Sequence, residues 1–294
     1  MNFSAVPTAD ELALAVNRTS IVDQLSTNNA SLKLLSEPSV PRLSANMHLA
    51  RDRNFRMRAK LPIALASGID IGSNENRFWF EVPEGMGMRK TLYFANHDAY
   101  RRQLDRSVLP VDPTWLMDAI GLMRLDPQQV IAGPQIRRDG RYEVRSRMAT
   151  PGGDYQRVCY IDPSGGYVVN QLLFDNQNRL VASSEATDFV YYPIGDSGCP
   201  LPHEVRIHLV PAGGSPLSMQ LSVGNYVVNT LLSGEPDLFR MPNNGSVPVD
   251  LTQLGPMPSG GDFRGVGVGT PQAPGRQSLP ASYRQPVDLR AKLR

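Results

Sequence analysis

The sequence predicts a mainly β fold with a smaller α component: one large antiparallel sheet of about ten to eleven strands, with two helices. Three observations carry this. Apolar and polar residues alternate with period two through much of the chain between residues 42 and 223. The connections between the alternating runs are too short for parallel crossovers. Twenty-five glycines and twenty-five prolines supply the turns that many short strands need.

The first element is helical. Thr8 and Glu11 have the spacing of a capping box after Pro7, and Leu12, Ala15, Val16 and Thr19 follow at helical intervals, which predicts a helix reaching about Asn28. Pro38 and Pro41 end any helix. Leu43, Ala45, Met47 and Leu49 then alternate with polar neighbours, and Phe55, Met57 and Ala59 repeat the pattern after "RDRN". Ile69 and Ile71 predict a third strand. Phe78, Phe80 and Val82 predict a fourth with Trp79 on its other face, and Leu92 and Phe94 a fifth after "PEGMGM". Asp112 and Pro113 read as an N-cap and first-turn proline, with Trp115, Leu116, Ala119 and Ile120 at helical spacing and Gly121 near the end. Such a helix, apolar on one side, would lie across the sheet. Strands resume at Tyr142 to Met148, Tyr155 to Ile161, Tyr167 to Phe174, Leu180 to Ser184 and Phe189 to Tyr192, then around Val205 to Leu209 and Met219 to Val223. "DPSGG" and "DNQNR" are turn sequences, with Asp162 and Asp175 leading turns between successive strands. The domain is expected to cover residues 1–255. Residues 256–294, dominated by Gly, Pro and Ser, are expected to form a disordered tail because they offer too little apolar surface to offset ordering.

Composition excludes several classes. The chain has 294 residues, enough for a substantial core, and a net charge of +2 that gives no pull toward nucleic acid. Two cysteines, Cys159 and Cys199, exclude a disulfide scaffold and a four-cysteine zinc site, and leave open whether they pair. No apolar run reaches the roughly eighteen residues of a membrane span. "MNFSAVPTADELALAV" lacks a basic n-region and a long apolar h-region, so the chain is expected either to be cytosolic or to begin after a removed leader.

No motif supports catalysis or a cofactor. In "HEVRIH" the histidines His203 and His208 are five apart on an alternating segment, which places them on opposite faces. A zinc site needs ligands converging within about 2 Å of one ion. "GVGVGT" lacks the lysine and the strand-loop-helix context of a phosphate loop. Cys159 lies among Val158, Tyr160 and Ile161, a strand setting with no histidine beside it in sequence, and no G-x-S-x-G elbow occurs. The arginines Arg51, Arg53, Arg56, Arg58, Arg137, Arg138, Arg141, Arg145 and Arg147 are expected to form the solvated outer face of the sheet, with a basic stripe for phosphate or lipid head groups as the alternative. What remains is an apolar inner face rich in Met, Phe and Leu, which either packs solid or encloses a cavity adaptable enough for flexible acyl chains.

The order of these pieces resembles the LolA/LolB-like family of bacterial envelope lipoprotein carriers and receptors over roughly residues 10–250. "PRLSANMHLARDRNFRMRAKLP" is similar to the family's opening hairpin, and "NRFWFEVPEG" with "KTLYFANHDAY" to the strand pair before the first crossing helix. "VDPTWLMDAIGL" resembles that helix, "YIDPSGGYVVNQLLFDNQNRLVASSEATDFVYY" the later run of three strands, and "YVVNTLLSGEPDLFRMP" the late asparagine and closing segment. The resemblance implies an open half-barrel whose helices lid an apolar hollow. It implies a non-enzymatic protein that binds or transfers lipid or acylated lipoprotein, without cofactor or metal. The implied lining is Met47, Leu49, Phe55, Met57, Phe78, Phe80, Leu92, Phe94, Trp115 and Leu116, on an assumed choice of inward face. It further implies a monomer of the bacterial cell envelope, periplasmic or anchored as a lipoprotein through a leader outside this chain, meeting lipid, lipoprotein or the outer-membrane surface and no nucleic acid. Two features depart from the family: no lipid-bearing cysteine starts the chain, and the tail lies beyond the family core. The alternative is an envelope interaction or stress-sensor module with the same fold and a filled core. An enzyme working through Cys159 or His203 is the third and weakest reading.

Overall fold

The computed structural model describes residues 6–60, 68–82, 90–103, 110–111, 114–148, 153–212 and 215–254. Helix α1 spans Ala9–Val16, and its capping box is formed. The Glu11 N–H donates to Thr8 Oγ1 at 3.2 Å, and the Thr8 N–H donates to Glu11 Oε2 at 2.8 Å. The helix ends sooner than the sequence predicts. A 3-10 turn covers Asn17–Ile21, and strand β1 occupies Gln24–Leu34, where helix was expected to reach about Asn28. A β-bulge disguises this strand in the sequence. Strand β1 pairs with β2 (Leu43–Ala50) through Leu25↔Leu49 and Thr27↔Met47, then resumes at Ala30↔Ala45. One surplus residue at Asn28–Asn29 shifts the inward set from Leu25 and Thr27 to Ala30, Leu32 and Leu34, which hides the period of two.

The chain continues through β3 (Asn54–Lys60), β4 (Ile69–Ser73), β5 (Arg77–Val82) and β6 (Thr91–Asn96). After the helical segment come β7 (Val130–Ile136), β8 (Tyr142–Met148), β9 (Tyr155–Ile161), β10 (Val168–Phe174), β11 (Leu180–Ile194), β12 (Ser197–Leu209) and β13 (Leu217–Val223). Short strands β14 (Val227–Val228) and β15 (Val247–Asp250) complete the set. The described strands form one fifteen-stranded sheet, more than the ten or eleven expected, in the order β15-β6-β5-β4-β3-β2-β1-β13-β12-β11-β10-β9-β8-β7, with β14 beside β1. Two antiparallel meanders are thus stitched together by β1 and β13. The outermost strands, β15 and β7, do not pair with each other, so the barrel stays open. The antiparallel character and the unclosed half-barrel match the expectation. One pairing departs from it: β15 joins β6 in parallel, Val247↔Thr91 to Asp250↔Phe94.

Directly opposed residues share a face, so the register sorts the side chains. Met47, Met57, Ile71, Phe80 and Tyr93 form one row across β2 to β6; Leu49, Phe55, Ser73, Phe78 and Ala95 form the next. These rows look into the concavity. Helix α2 (His97–Arg101) follows β6, and helix α3 (Trp115–Met117) runs on as a π-helical turn over Asp118–Leu122. The expected N-cap, Asp112 and Pro113, lies outside the described residues. Trp115, Met117, Ala119, Ile120 and Leu122 pack into one core with Leu25, Met47, Leu49, Phe55, Leu201, Val205 and Leu221. Each large apolar side chain so buried contributes about 1.5–3 kcal/mol of hydrophobic free energy. Gly121, next to last in this segment, has φ +93°, which favours glycine, and an added Cβ would stand a tight 3.0 Å from Pro202 Cδ on β12. Helix α1 fills the other half, packing Leu12, Ala13 and Val16 against Tyr142, Val144, Cys159 and Ile161.

The convex face of β2 to β5 is not the solvated surface the arginine pattern predicts. Residues 229–246 cross it as a strap. Asn229 Oδ1 accepts from the Asp23 and Gln24 N–H groups, and Asn229 Nδ2 donates to the Ile21 carbonyl. Further along, Arg58 forms a two-pronged pair with Glu235 at 2.7 and 2.8 Å, and Asn74 donates to the Phe239 carbonyl. Arg56 is buried, paired with Asp70 beneath the strap. Of the arginines named above, Arg56 and Arg58 therefore hold the strap to the sheet.

Candidate functional site

The concave face is built by the alternation of β2 to β6 on one side and closed on part of its length by the Trp115–Leu122 segment. That segment is fixed by polar contacts to the second meander. Gln171 Nε2 donates to the Asp118 carbonyl at 2.7 Å, and Arg157 Nη1 donates to Asp118 Oδ2 at 3.1 Å. Burial falls along the central row. Met47 is 0% exposed and Met57 4%, whereas Ile71, Phe80 and Tyr93 are only half-buried. Phe80 and Tyr93 stack with ring centroids 4.8 Å apart. Burial raises the Tyr93 phenol above its ordinary value, so it stays neutral. Leu116, Met148 and Tyr155 are likewise half-buried and pack against the core from α3, β8 and β9. Two buried polar atoms in this region have no hydrogen-bond partner among the described residues: Trp115 Nε1 and Gln171 Oε1.

Eight of the ten residues expected to line a hollow lie on one face of the sheet or on the segment packed against it. Met47, Leu49, Phe55, Met57, Phe78 and Phe80 share the concave face, and Trp115 and Leu116 lie on the segment packed against it. Leu92 and Phe94 do not belong there. The pairings Glu81↔Leu92 and Trp79↔Phe94 put them on the opposite face with Trp79, and Phe80↔Tyr93 gives the inward place to Tyr93. A one-residue change of phase moves a whole strand's set to the other side. Sequence reasoning missed Tyr93 for that face, because only its pairing with Phe80 identifies it.

Cys159 and Cys199 are both free and buried, in separate clusters. Burial pushes the Cys159 thiol up to about 12 and the Cys199 thiol to about 11. Thiolate is the reactive form, so both should be inert. Ellman's reagent at pH 8 is expected to label neither cysteine in the folded protein and both in denaturant; rapid labelling of the native chain would contradict this burial. His203 bonds the Tyr192 hydroxyl at 2.8 Å and His208 the Ser218 hydroxyl at 2.6 Å, each occupied on its own side of β12. Among the described residues no group of three His, Cys, Asp or Glu side chains is placed to hold a metal ion.

No protein-family model matches the sequence. No curated protein sequence matches it either. Solved structures do resemble it in arrangement. A LolA superfamily protein from Nitrosomonas europaea is 14% identical with a TM-score of 0.45, covering 80% of this chain and 98% of its own. An outer membrane lipoprotein-sorting protein domain from Vibrio parahaemolyticus is 10% identical with a TM-score of 0.44, covering 79% of this chain and 97% of its own. A DUF1329 family protein from Desulfovibrio piger is 12% identical with a TM-score of 0.47, covering 76% of this chain and 93% of its own.

Proposed function

We propose that the chain binds acyl chains of a lipid or an acylated lipoprotein along its concave face and does no chemistry on them. The row Met47–Met57–Ile71–Phe80–Tyr93 carries this reading: a continuous apolar track that begins in the core and emerges half-exposed. Flexible methionine and flat aromatic side chains suit a ligand without fixed shape. Trp115 Nε1 and Gln171 Oε1, buried and unpaired among the described residues, offer one donor and one acceptor to the ligand's polar group. On this reading the protein acts as a monomeric carrier or acceptor in the bacterial cell envelope, periplasmic or anchored, meeting lipid or lipoprotein at the outer membrane. Protein purified without detergent and extracted with organic solvent should release acyl lipid detectable by mass spectrometry. A folded preparation that releases none, and takes up none when offered it, would overturn the reading.

A second reading keeps the fold as an envelope interaction or stress-sensor module with a filled core. Its supporting observation is that Met47, Leu49, Phe55, Phe78 and Trp115 are all buried against neighbouring protein. An unchanged hydrogen-exchange pattern on the concave strands in the presence of lipid would favour it.

A further inference from the structure

A cleft of about 290 Å³ lies beside the concave face, lined by Arg51, Asp52, Met117, Asp118, Arg124 and Arg157 among others. Among the described lining residues, three guanidinium groups stand with two carboxylates. Arg157 and Asp118 neutralise each other in the ion pair that holds the crossing segment. Arg51 is different. Its Nε donates to the Val22 carbonyl at 2.7 Å, and its Nη2 to the Thr19 and Leu122 carbonyls at 3.0 and 3.3 Å. These bonds fix the plane of the guanidinium, and no carboxylate among the described residues contacts it. Its Nη1 bonds no atom among the described residues. Arg124, 55% exposed at its side chain, meets Asp52, itself 75% exposed, at 3.4 Å. A pair this long and this exposed holds Arg124 weakly.

Burial and the charge of Arg124 lower the Arg51 pKa, and the Asp118, Asp52 and Asp23 carboxylates offset this only in part, so the cation is incompletely compensated. A guanidinium locked by backbone carbonyls is already ordered, and its remaining nitrogen, Nη1, can donate a charge-assisted hydrogen bond to a phosphate oxygen. We propose that this cleft binds a phosphate-type anion, with Arg51 Nη1 and the Arg124 guanidinium as its donors. Met117 and Leu122 line the cleft and also belong to the apolar core. The anion therefore sits where either free phosphate or the head group of an amphiphile would reach it. The site stands on its own charges and does not depend on acyl binding.

The test uses the full chain and two probes. Inorganic phosphate is titrated calorimetrically at fixed low chloride, and sedimentation is measured with phosphatidylglycerol against phosphatidylcholine vesicles. Arg124→Ala, a change at an exposed side chain, should weaken binding about tenfold, and Asp52→Asn, which removes the competing carboxylate, should strengthen it about threefold. Both variants should keep the wild-type affinity for a palmitoylated peptide, which separates this site from the acyl track. Binding of phosphate alone identifies a soluble anion. Binding of anionic vesicles alone, or of both probes, identifies a head group. Binding of neither probe by folded protein, or binding that both variants leave unchanged, would overturn the proposal.

Discussion

Asp70→Asn is expected to destabilise the fold by about 3–5 kcal/mol, because it strands a buried charge. The Arg56 side chain is 6% exposed, and its Nη2 lies 2.6 Å from Asp70 Oδ2. Its Nε donates to Asp70 Oδ1 at 3.1 Å, which makes the pair bidentate. The remaining nitrogen donates to the Leu238 and Arg240 carbonyls at 2.9 and 3.1 Å, and the guanidinium lies 5.8 Å from the Trp79 ring centroid. One arginine thus ties β3, β4, β5 and the strap together. Removing the carboxylate leaves the buried cation in place beside a second one, Arg58, whose Nε lies 3.7 Å from Asp70 Oδ2. Replacing both partners with apolar residues, Arg56→Met with Asp70→Leu, should cost less than the single change, since no unpaired charge remains. Urea unfolding measures both. A loss under about 1 kcal/mol for Asp70→Asn would mean that the pair is solvated and the strap loosely held.

Trp115→Ala should cost about 3–5 kcal/mol, the loss expected when a large aromatic residue leaves a cavity in a packed core. Trp115 is 3% exposed and anchors the segment that crosses the concave face. Trp115→Phe separates packing from hydrogen bonding. It keeps most of the apolar surface and removes a buried N–H that has no partner among the described residues, so stability should change by less than about 1.5 kcal/mol. If the indole N–H serves the ligand, the same variant loses affinity for acylated ligand while remaining folded. Equal stability losses for the two variants would show that the position demands the whole indole for packing.

The parts of the fold legible in the sequence were those with an uninterrupted local period. The capping box at Thr8 and Glu11, the hairpin of β2 and β3, and the turns led by Asp162 and Asp175 all form as their residues imply. The Asp162 carboxylate accepts from the Ser164 N–H, and the Asp175 carboxylate accepts from the Gln177 and Arg179 N–H groups. Hence both aspartates are committed to turns. Where the period breaks, the reading failed. The bulge in β1 made a strand look like the tail of a helix. Strand β7 was missed for a related reason, since its pairing with β8 shifts register twice, between Val130 and Ala132 and again across Gly133 and Pro134. Strand β15 pairs with a partner far away in sequence, which no local pattern records. The candidate lining was legible as an apolar set but not as a face. In β6 the apolar residues Leu92 and Phe94 looked like the inward pair, and pairing with β5 turned Tyr93 inward instead. The arginines of β3 were legible as a polar face, but the strap that covers Arg56 and Arg58 arrives from about 180 residues later in the chain.

The most direct test of the central claim is a fluorescence titration with an N-palmitoylated peptide and its unacylated twin, on wild type and on Ile71→Arg. Ile71 is half-buried midway along the apolar row, so a guanidinium there puts a charge in the path of an acyl chain. Acyl binding along this row predicts saturable binding of the palmitoylated peptide only, weakened at least about tenfold by Ile71→Arg. Equal binding of the two peptides, or palmitoyl binding that Ile71→Arg leaves unchanged in a folded protein, would contradict it.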